Sequence, residues 1–377
     1  MRKFLPDKLL LLAVASGLLA GCAKEYRPLA YEPETHSDRL TETLGNDPAQ
    51  TMRIGSWNLY WFGTPEERNR PETEKDVRAM ARYIQDSGVS VLAMQELRAD
   101  PEPDGQSIQT VLNMLPGRWK HLIFPPNKTP GQATGIAWDA DRVTLLERIE
   151  LQVDRNPPGW QEFARQFNQT DENGQPVPIH NRKVMALHFS AGPGLTDFVV
   201  IPIHLISALK GFHVSRVRRY YEMATILDRV AERFLLQGEM DVILIGDTNC
   251  AADALEAFEL AGGEETSASR YARNWAKPYY FHELGGDADR ETYISDPPGT
   301  PNGRAKTWPL DRAYVPARQC EFHEAELVIF DSVQSYAKDK ADFIARLSDH
   351  FLVYHTIRVM GDDDRVSGAS GLARQDK

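Results

Sequence analysis

The chain has little of what small or specialised scaffolds depend on. It carries only 3 cysteines in 377 residues, none of them in a Cys-x-x-Cys pair, which excludes a disulfide-built scaffold and a thiolate zinc cluster. It lacks an excess of positive charge: 43 Lys and Arg stand against 54 Asp and Glu, a formal net charge of −11. Long-range attraction to nucleic acid or to an anionic membrane is therefore not what drives it, and any phosphate chemistry must rest on local charges. It has no internal repeat at the ~20–50-residue periods of solenoids and propellers, and no apolar run long enough to span a bilayer of ~30 Å. What is present, 42% hydrophobic and 26% charged residues, suits a globular chain with a large core. The length allows one large domain or two.

The longest apolar run, 9–20, follows Arg2, Lys3 and Lys8 and reads as the apolar region of an export signal. It ends in Leu19-Ala20-Gly21-Cys22, which resembles the bacterial lipobox. Residues 1–21 are therefore expected to be a lipoprotein signal peptide and Cys22 the lipidated residue. Acyl chains, at ~0.8 kcal/mol per buried CH₂, would anchor the chain stably. Ala23 after the cysteine, by resemblance to lipoprotein sorting, implies the periplasmic face of the outer membrane, with the cell surface as the other location. Loss of residues 1–21 removes three cations against one acid, so the exported chain is more acidic still. Residues 22–50, with Pro28, Pro33 and Pro48, read as a flexible tether. Residues 361–377 read as a disordered tail, which leaves 51–360 as the body.

Within the body, β-type runs recur at 53–60, 89–95, 120–124, 135–138, 143–153, 183–189, 198–204, 242–246, 312–315, 325–330 and 351–359. Helical periodicity appears over 72–86 and 214–236. Several strands follow one another with no helix between, so a strictly alternating parallel sheet does not fit, whereas mixed sheets covered by helices do.

Many of these runs end in a polar group. Asn58 closes the first, Gln95-Glu96 the second, His204 the seventh and Gly246-Asp247-Thr248-Asn249 the eighth; Asp311 and Ser348-Asp349-His350 open two later ones. A lone Asp before a strand is usually a turn former, but six such ends imply one convergent site at the rim of a sheet. Taken in order, Trp57-Asn58, Gln95-Glu96, His204-Leu205, Gly246-Asp247-x-Asn249, Leu310-Asp311-Arg312 and Ser348-Asp349-His350 resemble the endonuclease/exonuclease/phosphatase superfamily. That superfamily includes deoxyribonuclease I, abasic-site endonucleases, neutral sphingomyelinases and inositol polyphosphate phosphatases. The resemblance implies an α+β fold, a four-layer αββα sandwich of two mixed sheets flanked by helices. It also implies a hydrolase that uses Mg²⁺ or Mn²⁺ to direct water onto a phosphate ester.

Under that resemblance Glu96 is the first metal ligand, with Asn58 beside it and Asp349 completing the shell. Asp247 is the general base, and Asn249 orients the water or the phosphoryl oxygen. His204 and His350 both donate to phosphoryl oxygens as protonated imidazoles, Asp311 holds the His350 tautomer, and Arg182 reaches the phosphate as a bidentate fork. His204 sides with the deoxyribonuclease, sphingomyelinase and inositol phosphatase branches, because abasic-site enzymes usually have tyrosine there. Thr248-Asn249-Cys250-Ala251 lacks the continuation of the inositol phosphatases. The expected activity is phosphodiesterase or nuclease-like. A phosphomonoesterase, a sphingomyelinase-like phospholipase and a non-catalytic surface-binding lipoprotein are the alternatives. Nucleic acid, nucleotide and phospholipid all remain open as substrates, and no obligate protein partner is evident.

Two long connections, 155–178 and 262–306, either flank the phosphate site or form surface insertions. The sequence leaves that choice open, as it does a disulfide between Cys250 and Cys320. The remaining histidines have no partner pattern and read as structural or solvated.

Overall fold

The computed structural model describes residues 51–63, 75–98, 107–126, 132–180, 182–207, 212–250, 281–284, 292–294, 307–308, 310–316, 327–331 and 333–361. Cys22, Cys320, the tether, the tail beyond Gly361 and most of 262–306 lie outside these residues.

Two six-stranded sheets carry the fold. The first is built from β1 (Thr51–Phe62), β2 (Val89–Arg98), β3 (Trp119–Phe124), β4 (Gln132–Asp139), β13 (Val328–Ile329) and β14 (Val353–Arg358), in the order β13-β14-β1-β2-β4-β3. The second comprises β5 (Thr144–Leu151), β6 (Val184–Ser190), β7 (Asp197–His204), β8 (Val242–Asp247), β9 (Phe281–Glu283) and β12 (Asp311–Pro316), in the order β5-β6-β7-β8-β12-β9. β10 (Tyr293–Ile294) and β11 (Thr307–Trp308) form a separate pair. One parallel pair sits in each large sheet, β1 with β2 and β7 with β8, and the neighbouring pairs are antiparallel. Each parallel pair needs a crossover, supplied by α1 (Val77–Ser87) and α4 (Phe212–Arg233).

Strand alternation sorts the apolar residues into layers. Ile54, Val91 and Ile136 of the first sheet meet Leu187, Phe198, Val200 and Ile245 of the second in a buried layer between the sheets. Trp57, Leu92 and Met94 face outward onto Met80 and Ile84 of α1 and onto α6 (Lys340–Arg346). Val199, Ile201 and Leu244 face Met223, Ile226 and Val230 of α4 on the other side. The order is helix, sheet, sheet, helix: the four-layer sandwich of mixed sheets that the family resemblance implies. The helix read over 72–86 begins at Val77, because the Asp76 side chain accepts from the Ala79 amide and caps it. The run read over 325–330 is paired only at Val328 and Ile329, opposite Tyr354 and Val353.

The short helix α2 (Ile108–Leu112) covers the first sheet, and α5 (Val333–Tyr336) precedes α6. The 155–178 connection contains α3 (Pro158–Gln166) and packs a small cluster of its own. Trp160, Ala164 and Ile179 are buried together against Phe163 and Tyr221, and Arg218 of α4 donates to the Ile179 and Pro178 carbonyls.

Candidate active site

Strand register assembles the site. His204 lies opposite Asp247 on the β7–β8 pair, and Asp247 lies opposite Asp311 on β8–β12, so three adjacent strand ends share one level. The other sheet delivers Asn58 opposite Gln95, and an isolated bridge sets His350 against Tyr293.

Two backbone features aim the side chains. At Glu96 the chain turns left-handed, with φ 56, where β2 shifts register against both neighbours. A bulge of this kind redirects one side chain at a sheet rim. At Gly246, φ is 152, and a Cβ would lie 2.0 Å from the Ile203 carbonyl and 2.9 Å from Gln95 Nε2. Only glycine lets β8 pass that close while carrying Asp247 into place. Gln95 itself is fully buried and bonded to Ser56, so it holds the packing behind the site.

Asp247 is the hub. Its Oδ2 accepts from Asn58 Nδ2 at 3.0 Å and from Asn249 Nδ2 at 3.1 Å, and its Oδ1 accepts from the Asn249 amide at 2.7 Å. His204 Nε2 lies 3.8 Å and His350 Nε2 3.9 Å from Oδ2. Burial pushes the Asp247 carboxyl well above the usual carboxylate range, although His350 pulls the other way. Asn249, at φ 53, also donates to the Leu205 carbonyl, tying the ends of β7 and β8 together.

The two imidazoles, expected alike, differ. His350 Nδ1 lies 2.7 Å from Asp311 Oδ2. Burial opposes its charge, but Asp311, Asp247 and Asp349 overcome that and raise it to about 10, so it is an imidazolium at neutral pH. His204 is driven far below the ordinary histidine range by burial, by Arg182 and by His350, so it is neutral. Its Nδ1 is buried without a hydrogen-bond partner. The expectation of two charged imidazoles is corrected to one.

Arg182 also departs from expectation. Its Nε and Nη2 donate to Gln132 O and Oε1 at 3.2 and 2.8 Å, and Nη1 donates to the His204 carbonyl at 3.1 Å. The fork is engaged inside the protein, so Arg182 fixes the end of β7 and acts on the site through its charge.

Glu96 Oε1 stands 3.6 Å from His204 Nε2, and its Oε2 is buried with no hydrogen-bond partner. Ligand atoms of Glu96, His204 and Asp247 lie within 4.8 Å of one another. The metal shell expected from the sequence paired Glu96 with Asn58 and Asp349 instead. In the structure the Asn58 amide is engaged, Nδ2 with Asp247 and Oδ1 with the Tyr60 amide. Asp349 is raised to about 7, chiefly by burial and in part by Glu96. A buried orphan carboxylate oxygen beside two carboxyls raised chiefly by burial fits a hard divalent cation, which takes oxygen ligands. The expectation for Mg²⁺ or Mn²⁺ is thus compatible with the donors present.

Several further residues position the site, and two of them, Thr292 and Tyr293, escape sequence reasoning. Trp57 Nε1 donates to the His350 carbonyl, Ser348 Oγ to the Asn58 carbonyl, and the Thr292 hydroxyl accepts from the Leu310 and Asp311 amides. The Tyr293 ring sits 5.0 Å from the His350 ring. No spacing announces Thr292 or Tyr293. Cys250 is buried with a free thiol.

Comparison with known proteins agrees with this architecture. No curated protein sequence matches the chain. A solved structure of an endonuclease/exonuclease/phosphatase family protein from Bacteroides thetaiotaomicron superposes with a TM-score of 0.50 at 16% identity, covering 82% of this chain and 98% of that one. A second, from Bacteroides vulgatus, gives 0.50 at 16% identity over 81% and 98%. TDP2 from D. rerio, complexed with a single-strand DNA product, gives 0.49 at 16% identity over 81% and 98%. Residues 55–350 match the Endonuclease/Exonuclease/phosphatase family, and the chain belongs to that family of phosphoester hydrolases.

Proposed function

We propose that the protein is a divalent-metal-dependent phosphodiesterase that drives water onto phosphorus. The observation that carries this reading is the meeting of Glu96, Asp247, His204 and the Asp311–His350 pair at the ends of strands from both sheets. Asp247, held by two asparagine amides and raised by burial, is positioned to take the proton of the attacking water. His350, as an imidazolium, stabilises the negative charge growing on the phosphoryl oxygens, and Asp311 keeps its Nε2–H directed at them. His204 adds a neutral donor beside Glu96. Glu96, whose Oε2 is buried without a hydrogen-bond partner, would hold Mg²⁺ or Mn²⁺, with Asp349 completing the shell. Bound there, a hard divalent cation polarises a phosphoryl oxygen and acidifies water. A diester rather than a monoester is the substrate class this reading takes.

The test is a panel of DNA, RNA, sphingomyelin, phospholipids and cyclic nucleotides, with bis-aryl and aryl phosphates as reporters, each with Mg²⁺ and with chelator. The reading expects metal-dependent hydrolysis with the bis-aryl ester preferred, and loss of activity by orders of magnitude in Glu96→Gln. Full activity in chelator, or preference for the monoester, overturns it.

The same reading includes an exported, lipid-anchored protein on the periplasmic face of the outer membrane, resting on the lipobox-like sequence at Cys22. Cys22→Ala should block acyl labelling and leave the precursor uncleaved. Unchanged acylated product from that variant removes the anchor.

A further inference from the structure

A second cluster of ligating side chains lies at the far end of the second sheet. His188 is on β6, Asp197 opens β7, and Glu239 precedes β8. Asp197 and His204 bound the same strand, so at ~3.3 Å per residue the cluster is about 23 Å from the active site. His188 pairs with Val199 and Ser190 with Asp197, which makes His188 and Asp197 diagonal neighbours on one face. His188 Nε2 stands 3.2 Å from Asp197 Oδ2 and 3.4 Å from Glu239 Oε2.

Three observations point to a metal. Although both oxygens are within hydrogen-bonding distance, neither meets hydrogen-bond geometry, and His188 Nε2 and Asp197 Oδ1 are shielded atoms without a hydrogen-bond partner. In a tetrahedral zinc site with bonds of ~2.0–2.1 Å, neighbouring ligand atoms sit about 3.3–3.4 Å apart. The two edges from His188 Nε2, 3.2 and 3.4 Å, fall at that spacing, and the three ligand atoms lie within 4.8 Å of one another. Glu239 Oε1 accepts from the Asp241 amide at 2.8 Å, which fixes its carboxylate with Oε2 turned to His188, as an outer-shell contact does for a ligand. The side chains are 14–22% exposed, which leaves an ion a way in and water a place in the shell.

We propose that His188, Asp197 and Glu239 form a second metal site, for Zn²⁺ or a similar imidazole-binding divalent ion. It clips the β6–β7 turn to the segment entering β8, so it stabilises the sheet without touching the chemistry.

Zinc content after equilibrium dialysis, together with thermal melting with and without Zn²⁺, tests the site on the full chain. Wild type should hold one zinc equivalent more than His188→Ala, and zinc should raise its melting temperature more than that of the variant. Phosphoester hydrolysis in His188→Ala should stay at the wild-type level, and Glu96→Gln should retain the distal equivalent. Asp197→Asn, a gentler change, carries the same expectation if His188→Ala does not fold. Equal zinc content and equal melting shifts in wild type and these variants would mean a proton-bridged cluster, and overturn the proposal.

Discussion

At His350 one ring nitrogen meets the Asp311 carboxylate at 2.7 Å, whereas at His204 the second nitrogen has no partner and Arg182 donates to the residue's own carbonyl. The same side chain is therefore charged in one place and neutral in the other. Removing the charged donor should lower kcat about a hundredfold, the ~3 kcal/mol typical of such a group, with little change in KM. Asp311→Asn should be a weaker version of His350→Ala, and the double variant should be little worse than His350→Ala alone, because the two act as a unit. Steady-state kinetics of the three variants decides this; losses that multiply would give Asp311 a separate task. Residue identities at the site were legible in the sequence because each apolar run stops abruptly at an acid, amide or imidazole. Their protonation states were not, since these depend on Asp311 and Arg182, far away in sequence. The His188 cluster was invisible for the same reason: its members come from two strands and a loop.

Among the elements, β8 is the most constrained. It pairs parallel with β7, antiparallel with β12, and passes Gln95 of the other sheet through the space above Gly246. A methyl group there would collide with the Ile203 carbonyl, and φ 152 is unfavourable for any other residue. Gly246→Ala should therefore cost on the order of 4 kcal/mol or more, well above an ordinary substitution, and urea denaturation measures it; a loss under about 1 kcal/mol would mean that β8 moves freely and that the register does not hold Asp247. Strand positions were readable from period-two patterning and β-branched composition. The short strands β9 to β11 were not, because two or three residues carry no period, and neither was the bulge at Glu96, which is a tertiary demand on an ordinary strand sequence.

For the whole molecule, the acids of the site set a dependence of stability on pH. Asp349 has a folded-state pKa of about 7 against an ordinary 3.8. Between those values the folded state holds a proton that the unfolded state has released, so stability falls as pH rises, by at most ~1.4 kcal/mol per pH unit for one group. His350, raised to about 10 from 6.5, extends the decline: its contribution is complete below about pH 6.5 and is lost towards pH 10. Buried neutral His204 and His180, both held below the ordinary histidine range, act in the opposite sense below about pH 6.5. Chemical denaturation in chelator should therefore show the Asp349 contribution as a decline of wild type relative to Asp349→Asn from pH 4 to 7. Mg²⁺ should flatten that decline, because a cation compensates the ionised carboxylates. A difference between the two proteins that is flat, or that runs the other way over this range, would contradict the burial of Asp349. Mixed sheets followed from the sequence because consecutive strands without helices exclude strict alternation, whereas the four-layer stacking was what the family resemblance implied. Which strands adjoin across each sheet did not, since pairing order depends on contacts distant along the chain.

The claim that Asp247 is the reacting base, held ready by Asn58 and Asn249, rests most directly on one measurement: kcat for a bis-aryl phosphate at saturating Mg²⁺ in Asp247→Asn. The amide keeps the shape and cannot take the proton, so kcat should fall by ~10²–10⁴; a rate within a few-fold of wild type would contradict the account.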